Sequence, residues 1–260
     1  MKISVKEMLD AGLHFGHRTQ KWNPKMAPYI YTKRAGIHIF DLQKTAQEMV
    51  KTLNFLYSAS AQGREILFVS TKLQTEKMIV DIAEKTNSHY VNNRWLGGLL
   101  TNFDTIKHRI KYYKDLKKLL SSDAITKYRK KEQVMKQKEL EKLDANLCGL
   151  SELRRLPDVL VVIDMVRDNI AIREAKRLGI TVVAIADSNA NPDDADYIIP
   201  ANDDAMGSLQ YIFGKMQEVM AAGQKNAPKK ESSDAAPSKK AAPKKKITVT
   251  KKDVAEKGDA

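Results

Sequence analysis

The sequence predicts an α/β fold: a parallel sheet covered by helices, a projecting helical hairpin inserted into it, and a disordered basic tail behind it. Three observations carry this reading. Short apolar runs recur along the chain, EILFVS (65–70), VLVVID (159–164), TVVAIA (181–186) and DYIIP (196–200), with amphipathic segments between most of them. Strands apolar along their whole length are buried on both faces, and such strands alternating with helices make a parallel sheet. Residues 104–147 interrupt the alternation, holding no Gly or Pro while repeating apolar residues at helical spacing. Residues 224–260 are rich in Lys, Ala, Pro and Ser and contain no aromatic residue. They cannot bury enough apolar surface to offset the entropy of ordering, so disorder is expected there.

Taken in order, Ser4-x-x-Glu7 is a capping box that opens a short helix. Residues 12–36, rich in Gly, His, Arg and Trp and broken by Pro24 and Pro28, read as a loop leading to a short strand at 37–40. Over 41–62, Leu42, Ala46, Met49, Leu53, Leu56 and Tyr57 fall on one helical face, and Gly63 ends the helix. After the strand at 65–70, Thr71-x-x-Gln74 reads as the cap of the next helix, and HYVNN (89–93) returns as strand. The hairpin's first helix carries Ile106, Ile110, Tyr113, Leu116 and Leu120. Near Ser121 and Ser122 the pattern restarts, with Ile125, Tyr128, Val134, Met135, Leu140 and Leu143 on the returning helix. A helix over 168–178, stopped by Gly179, follows the strand at 159–164, and a last helix covers 203–220. The domains are therefore a body of 1–103 and 148–223, a hairpin of 104–147 and a tail of 224–260.

The 260 residues, 42% of them hydrophobic, suffice for one substantial core. A single cysteine, Cys148, excludes an internal disulfide framework and a Cys-based zinc cluster. MKISVKEMLDAGLHFGH lacks the apolar stretch of a secretory signal, and no run reaches the roughly 18 apolar residues of a membrane span, so a soluble chain of a reducing compartment is expected. The net charge of +13 is unevenly placed. Residues 1–40 hold seven Lys/Arg against two acids, 104–147 thirteen against seven, and 224–260 eleven against five, around a slightly acidic remainder. Basic extensions on an acidic body suit a polyanionic partner.

Catalytic motifs are missing. There is no GxxxxGK[ST], no GxGxxG after a strand and no GxSxG elbow, and TKLQTE follows the first apolar strand without a glycine. Asp164 and Asp187 end apolar strands where open parallel sheets bind ligands, and with Asp203 they could converge on a metal or a sugar hydroxyl. The same residues could instead cap helices and accept loop amides. His14 and His17, three apart in HFGH, could share a metal, but two ligands without a close Cys or carboxylate make a weak site.

HRTQKWNPKM (17–26) interleaves Arg18, Lys21 and Lys25 with His17 and Trp22, pairing phosphate neutralisation with planar rings that stack on bases. In VNNRWLGGLLTNF (91–103) a glycine pair stands beside an arginine. A nucleotide cradle would need a Lys or Ser in register after the glycines. Gly97 and Gly98 therefore read as a tight turn, with Arg94 reaching a phosphate and Leu96, Leu99, Leu100 and Phe103 anchoring the hairpin.

LDAGLHFGHRTQKWNPKMAPYIYTKRAGIHIFDLQKT, ILFVSTKLQ, YVNNRWLGGLLTNF, LPDVLVVID and EAKRLGITVVAIADSNANPDDADYIIPANDDA together resemble, in order, the blocks of the bacterial small-subunit ribosomal protein family S-two. The resemblance covers about 1–220. It implies a flavodoxin-like body with a coiled-coil hairpin, docked on small-subunit rRNA. It implies a cytoplasmic, ribosome-associated protein without catalytic activity, cofactor or metal, one copy rather than a homo-oligomer. Its partners would be neighbouring small-subunit proteins, among them the large S-one protein that helps capture messenger RNA. The matching loop implies RNA contact at His17, Arg18, Lys21, Trp22, Asn23 and Lys25, and the RWLGG block implies it at Arg94 and Trp95. On the hairpin, Lys107, Arg109, Lys111 and Lys114 are chosen by charge alone. Three positions depart from the family pattern: Ala35 where Asn is common, Met165-Val166 in place of a Pro-Arg-like pair, and Met206-Gly207 where a bulkier, often basic pair is usual. Two rival readings are an α/β enzyme with Asp164, Asp187 and Asp203 around a divalent metal, and a free RNA-binding module.

Overall fold

The computed structural model describes residues 3–226. Its helices are α1 Val5–Asp10, α2 Leu42–Ala61, α3 Glu76–Lys85, α4 Phe103–Ser121, α5 Lys130–Leu147, α6 Asn169–Arg177 and α7 Met206–Lys225. Its strands are β1 Phe15–Arg18, β2 Ile30–Arg34, β3 Ile37–Phe40, β4 Ile66–Val69, β5 His89–Val91, β6 Val159–Val162, β7 Thr181–Ala186 and β8 Tyr197–Pro200. The chain divides into two compact units, one of Met1–Arg64 with the chain from Val183 onward, the other Glu65–Val182. A five-stranded sheet has the order β5-β4-β6-β7-β8, with β4 parallel to β5 and β6, and β7 parallel to β8. The α/β class and the parallel sheet are as expected from the apolar runs. Helix α7 continues through Lys225, into the stretch from 224 that was expected as tail. The remainder of it, 227–260, lies outside the described residues.

In the first unit, Ser4 caps α1, its hydroxyl accepting the Glu7 amide. Residues 12–36 are not simply a loop: β1, β2 and β3 form an antiparallel sheet in the order β1-β3-β2. These strands escape sequence patterning for two reasons. Both β1 and β2 are short and largely exposed, so they show no apolar run, and each pairs with β3 through a register irregularity. Arg34 and Ile37 are paired across the two-residue turn Ala35-Gly36, whose φ values of 51° and 77° are both left-handed. Positive φ at both central positions is the requirement of a type I′ hairpin turn.

Asp41 caps α2 by accepting the amides of Gln43 and Lys44. The expected face is the buried one, with Leu42, Ala46, Met49, Leu53 and Leu56 in the core. Two threonines on that face hydrogen-bond to β8: Thr45 Oγ1 donates to the Pro200 carbonyl at 2.7 Å and Thr52 Oγ1 to the Ile198 carbonyl at 3.2 Å. Helix α7 packs along α2, closely enough at Gly223 that an added Cβ would come within 2.6 Å of the Tyr57 carbonyl oxygen.

In the second unit, every residue of β4 and β6 is buried. Thr71 does not cap α3, contrary to expectation. A 3-10 turn, Leu73–Thr75, intervenes, and Thr71 instead donates its amide (3.2 Å) and its hydroxyl (2.9 Å) to the buried carboxylate of Asp168. A buried carboxylate needs donors more than an exposed helix end does.

Helices α4 and α5 follow one another through a 3-10 turn at Asp123–Lys127 and pack together. Phe103, Ile106, Ile110, Tyr113 and Leu116 make the buried stripe of α4. The apolar positions expected on the returning helix behave differently: Val134 and Met135 are exposed, and Leu147 is the buried residue of α5. Polar contacts supplement the thin apolar seam, since Tyr113 donates its hydroxyl to Asp144 and receives Lys117 Nζ at 3.2 Å.

Candidate nucleic-acid interface

The glycine loop at 96–101 does cradle an anion, and the anion belongs to the chain itself. The Glu174 carboxylate on α6 accepts five hydrogen bonds. Trp95 Nε1 (3.1 Å) and the Gly98 amide (2.8 Å) meet Oε1, while the Leu100 amide (3.0 Å), the Thr101 amide (3.1 Å) and the Thr101 hydroxyl (3.1 Å) meet Oε2. Gly98 takes φ of 83°, a backbone state that favours glycine, and the turn there brings the Gly98, Leu100 and Thr101 amides onto the carboxylate. Burial pushes the Glu174 carboxyl up, but the Thr101 amide, the Trp95 indole and the Gly98 and Leu100 amides outweigh it and hold the group below the usual range.

Trp95 thereby leaves the set of RNA contacts. Its ring is only 8% exposed and its sole donor is spent on Glu174, so it presents no face for stacking. Arg94, one residue earlier, is exposed. Glu174 was missed in the sequence, although a signal existed. It is an acid on the stripe that Ala171, Ile172 and Ala175 bury, and an acid there requires internal donors.

The 17–26 loop is fixed at both ends. The His17 amide donates to Asp187 Oδ1 (3.1 Å) and Ser188 Oγ (2.9 Å), and the Asn23 amide donates to the Ser188 carbonyl (2.7 Å). The Asn23 side chain accepts the Lys25 amide at 3.0 Å and caps the 3-10 turn Pro24–Tyr29. Asn23 is therefore half-buried and shapes the loop, while Arg18, Lys21 and Trp22 stand exposed from it. Trp22 keeps 41% of its surface and lies 5.3 Å, centroid to centroid, from His38. Lys25 is exposed but ion-paired with Asp193. The solvated face of the β1-β3-β2 sheet adds residues that sequence reading passed over. Phe15 pairs with Ile39 and Arg34 with Ile37, which places two exposed side chains on one face.

His17 faces inward. Its Nδ1 lies 3.0 Å from Asp187 Oδ2 and its Nε2 3.6 Å from Asp204, and the hydrogen bond with Asp187 raises its pKa against the opposing effect of burial. His17, Asp187 and Asp203 each bring a ligand atom within 4.8 Å of the others, a set that could hold a metal ion. His14 does not belong to this set; it packs on the Phe15 ring at 3.9 Å. Asp164 does not belong either. In the second unit it accepts the Val166 (3.0 Å) and Arg167 (2.8 Å) amides and meets Lys72 Nζ at 3.0 Å. The donors around Asp164 are those of a loop cap.

On α4, Lys107, Arg109 and Lys111 are exposed, and Lys114, half-buried, is paired with Glu152 at 2.9 Å. Lys107 Nζ lies 4.9 Å from the centre of the Phe103 ring and 3.9 Å from Asp104, so its charge is already engaged within the helix.

A family model described as Ribosomal protein S2 matches residues 8–223. The chain is 46% identical over 222 residues to "Small ribosomal subunit protein uS2" of Petrotoga mobilis, covering 85% of this chain and 77% of that protein. It is 44% identical over 232 residues to "Small ribosomal subunit protein uS2c" of Rhodomonas salina, covering 89% of this chain and 96% of that one. With "Small ribosomal subunit protein uS2" of a Picosynechococcus species it shares 43% identity over 232 residues, 89% of this chain and 91% of the relative. The match runs through the loop at 17–26, the glycine nest and the helix that carries Glu174, and the chain belongs to the ribosomal protein S2 family.

Proposed function

We propose that this protein is a structural, non-catalytic constituent of the small ribosomal subunit, bound to rRNA in the cytoplasm through its basic peripheral segments. The observation that carries the reading is the exposed Arg18, Lys21 and Trp22 on a loop pinned by buried groups, in a chain of this family. A pinned loop docks its cations and ring on a phosphate backbone with little further loss of entropy. Arg94 and the outward cations of α4 extend the contact, and Lys25 contributes less because Asp193 already pairs with it. The strand order β5-β4-β6-β7-β8 supports a flavodoxin-like body, and the mutual packing of α4 and α5 supports a two-stranded coiled coil. One copy acts per subunit, and residues 227–260 add a salt-sensitive grip.

Replacing Arg18 and Lys21 by Ala tests the reading. Affinity for small-subunit rRNA should fall, and the slope of log K against log salt should flatten by about 0.7–0.9 for each phosphate that is no longer neutralised. An unchanged slope would remove the loop from the interface. Recruitment of the S-one protein is a finer part of the proposal, supported by exposed Phe15 and Tyr31, two aromatic side chains of the first unit that suit a protein partner. Small subunits carrying Tyr31→Ser with Phe15→Ser should lose that protein on washing while keeping this chain; full retention argues against it.

A further inference from the structure

Residues 164–178 sort their charges by sign. Asp164, Asp168 and Glu174, the only carboxylates in the stretch, are all buried and engaged: Asp164 with Lys72 and two amides, Asp168 with Thr71, and Glu174 with its five donors. Arg167, Arg173, Lys176 and Arg177 are all exposed. At the start of α6, Val166 and Ile170 are 52% and 59% exposed, and Leu73 is 84% exposed. The loop bearing Leu73 is tied to this end, since Arg167 Nε donates to Thr71 Oγ1 at 2.7 Å and Thr71 holds Asp168. Ile170, Arg173 and Arg177 follow one another at i, i+3 and i+7, so the aliphatic end continues into a cationic stripe on one helix face. A single exposed aliphatic residue means little, but three at one end of a face without negative charge of its own mark a contact surface.

We propose that this face docks an acidic, aliphatic segment of a neighbouring protein. The chemistry favours protein over RNA. RNA recognition combines cations with planar rings that stack on bases, and this stretch offers Val, Ile and Leu without an aromatic residue. Three of its four cations are arginines, whose planar guanidinium takes a carboxylate in two parallel hydrogen bonds and which is enriched in protein interfaces. The proposal rests on the ribosomal reading in one respect, that the partner is a neighbour within the subunit.

The test places the photocrosslinker p-benzoylphenylalanine at position 170 of the full chain in cells and isolates small subunits before and after irradiation. Co-sedimentation is read first: a chain absent from small subunits sinks the ribosomal reading, and this inference with it. In a chain that does co-sediment, the expected result is a protease-sensitive, nuclease-resistant adduct. Sequencing its crosslinked peptide should show a net negative segment with aliphatic residues. An rRNA adduct, an adduct on a cationic segment, or no adduct overturns the docking proposal and leaves the ribosomal reading standing. Adding Arg173→Glu with Arg177→Glu, both on exposed positions, should lower the adduct yield at least fivefold with sedimentation unchanged. An unchanged yield overturns the proposal as well.

Discussion

Glu174 is the residue on which the second unit's loop architecture turns. The sequence reads the glycine pair beside an arginine as a tight turn and not as a cradle; the structure shows five donors of this stretch converging on the chain's own carboxylate. Glu174→Gln keeps the shape but removes the charge and turns an amide N–H₂ toward donors, so it should destabilise by about 2–4 kcal/mol at neutral pH. The folded-state pKa lies below the unfolded value of about 4.3, so the charge-dependent stabilisation is present above that pH and is lost as pH falls through the lowered folded pKa. Urea melts of wild type and variant should therefore differ at pH 7 and converge in acid; a gap independent of pH would mean the charge is not what the nest holds. Ala35 offers a test of opposite sign. Its φ of 51° is costly for alanine and tolerated by asparagine, so Ala35→Asn should stabilise by roughly 0.5–1 kcal/mol, read as a higher thermal midpoint. A lower midpoint would contradict the turn assignment. Trp95 shows the limit of reading residues by type. The resemblance of the RWLGG block implied RNA contact at Trp95, whereas its indole N–H donates to the buried Glu174 carboxylate.

At the scale of elements, legibility followed burial. Strands β4, β6, β7 and β8 were legible because nearly every residue faces the core and the apolar runs are continuous. Strands β1 and β2 were not, because one solvated face and register irregularities erase the alternation that marks a strand. The two helices of 104–147 were legible as helices but only half so in packing. Helix α4 buries the stripe its spacing announces, whereas α5 leaves Val134 and Met135 in solvent. The outward residues of α4 are then available for another task. Replacing Lys107, Arg109 and Lys111 by Ala should change stability by no more than about 0.5 kcal/mol and yet weaken rRNA binding with a shallower salt slope. Equal losses of stability and binding would show instead that these cations hold the hairpin together.

For the molecule as a whole, the charge layout and the fold state the same case. The +13 net charge is carried by peripheral segments, while acids in the body are largely committed to amides, hydroxyls and lysines of the chain itself. Such a distribution gives long-range attraction to a polyanion and leaves the folded body unstrained by self-repulsion. Family membership could be read from five ordered blocks, but the division of labour inside them could not, because the pinning that leaves Asn23 half-buried as a cap and Arg18 exposed depends on Asp187 and Ser188, some 170 residues away in the chain. The most direct test is sedimentation of the full-length protein from lysate through a sucrose gradient. The account predicts that it migrates with the small ribosomal subunit at low salt and is progressively released as salt rises. Protein that stays at the top of the gradient beside intact small subunits would contradict it.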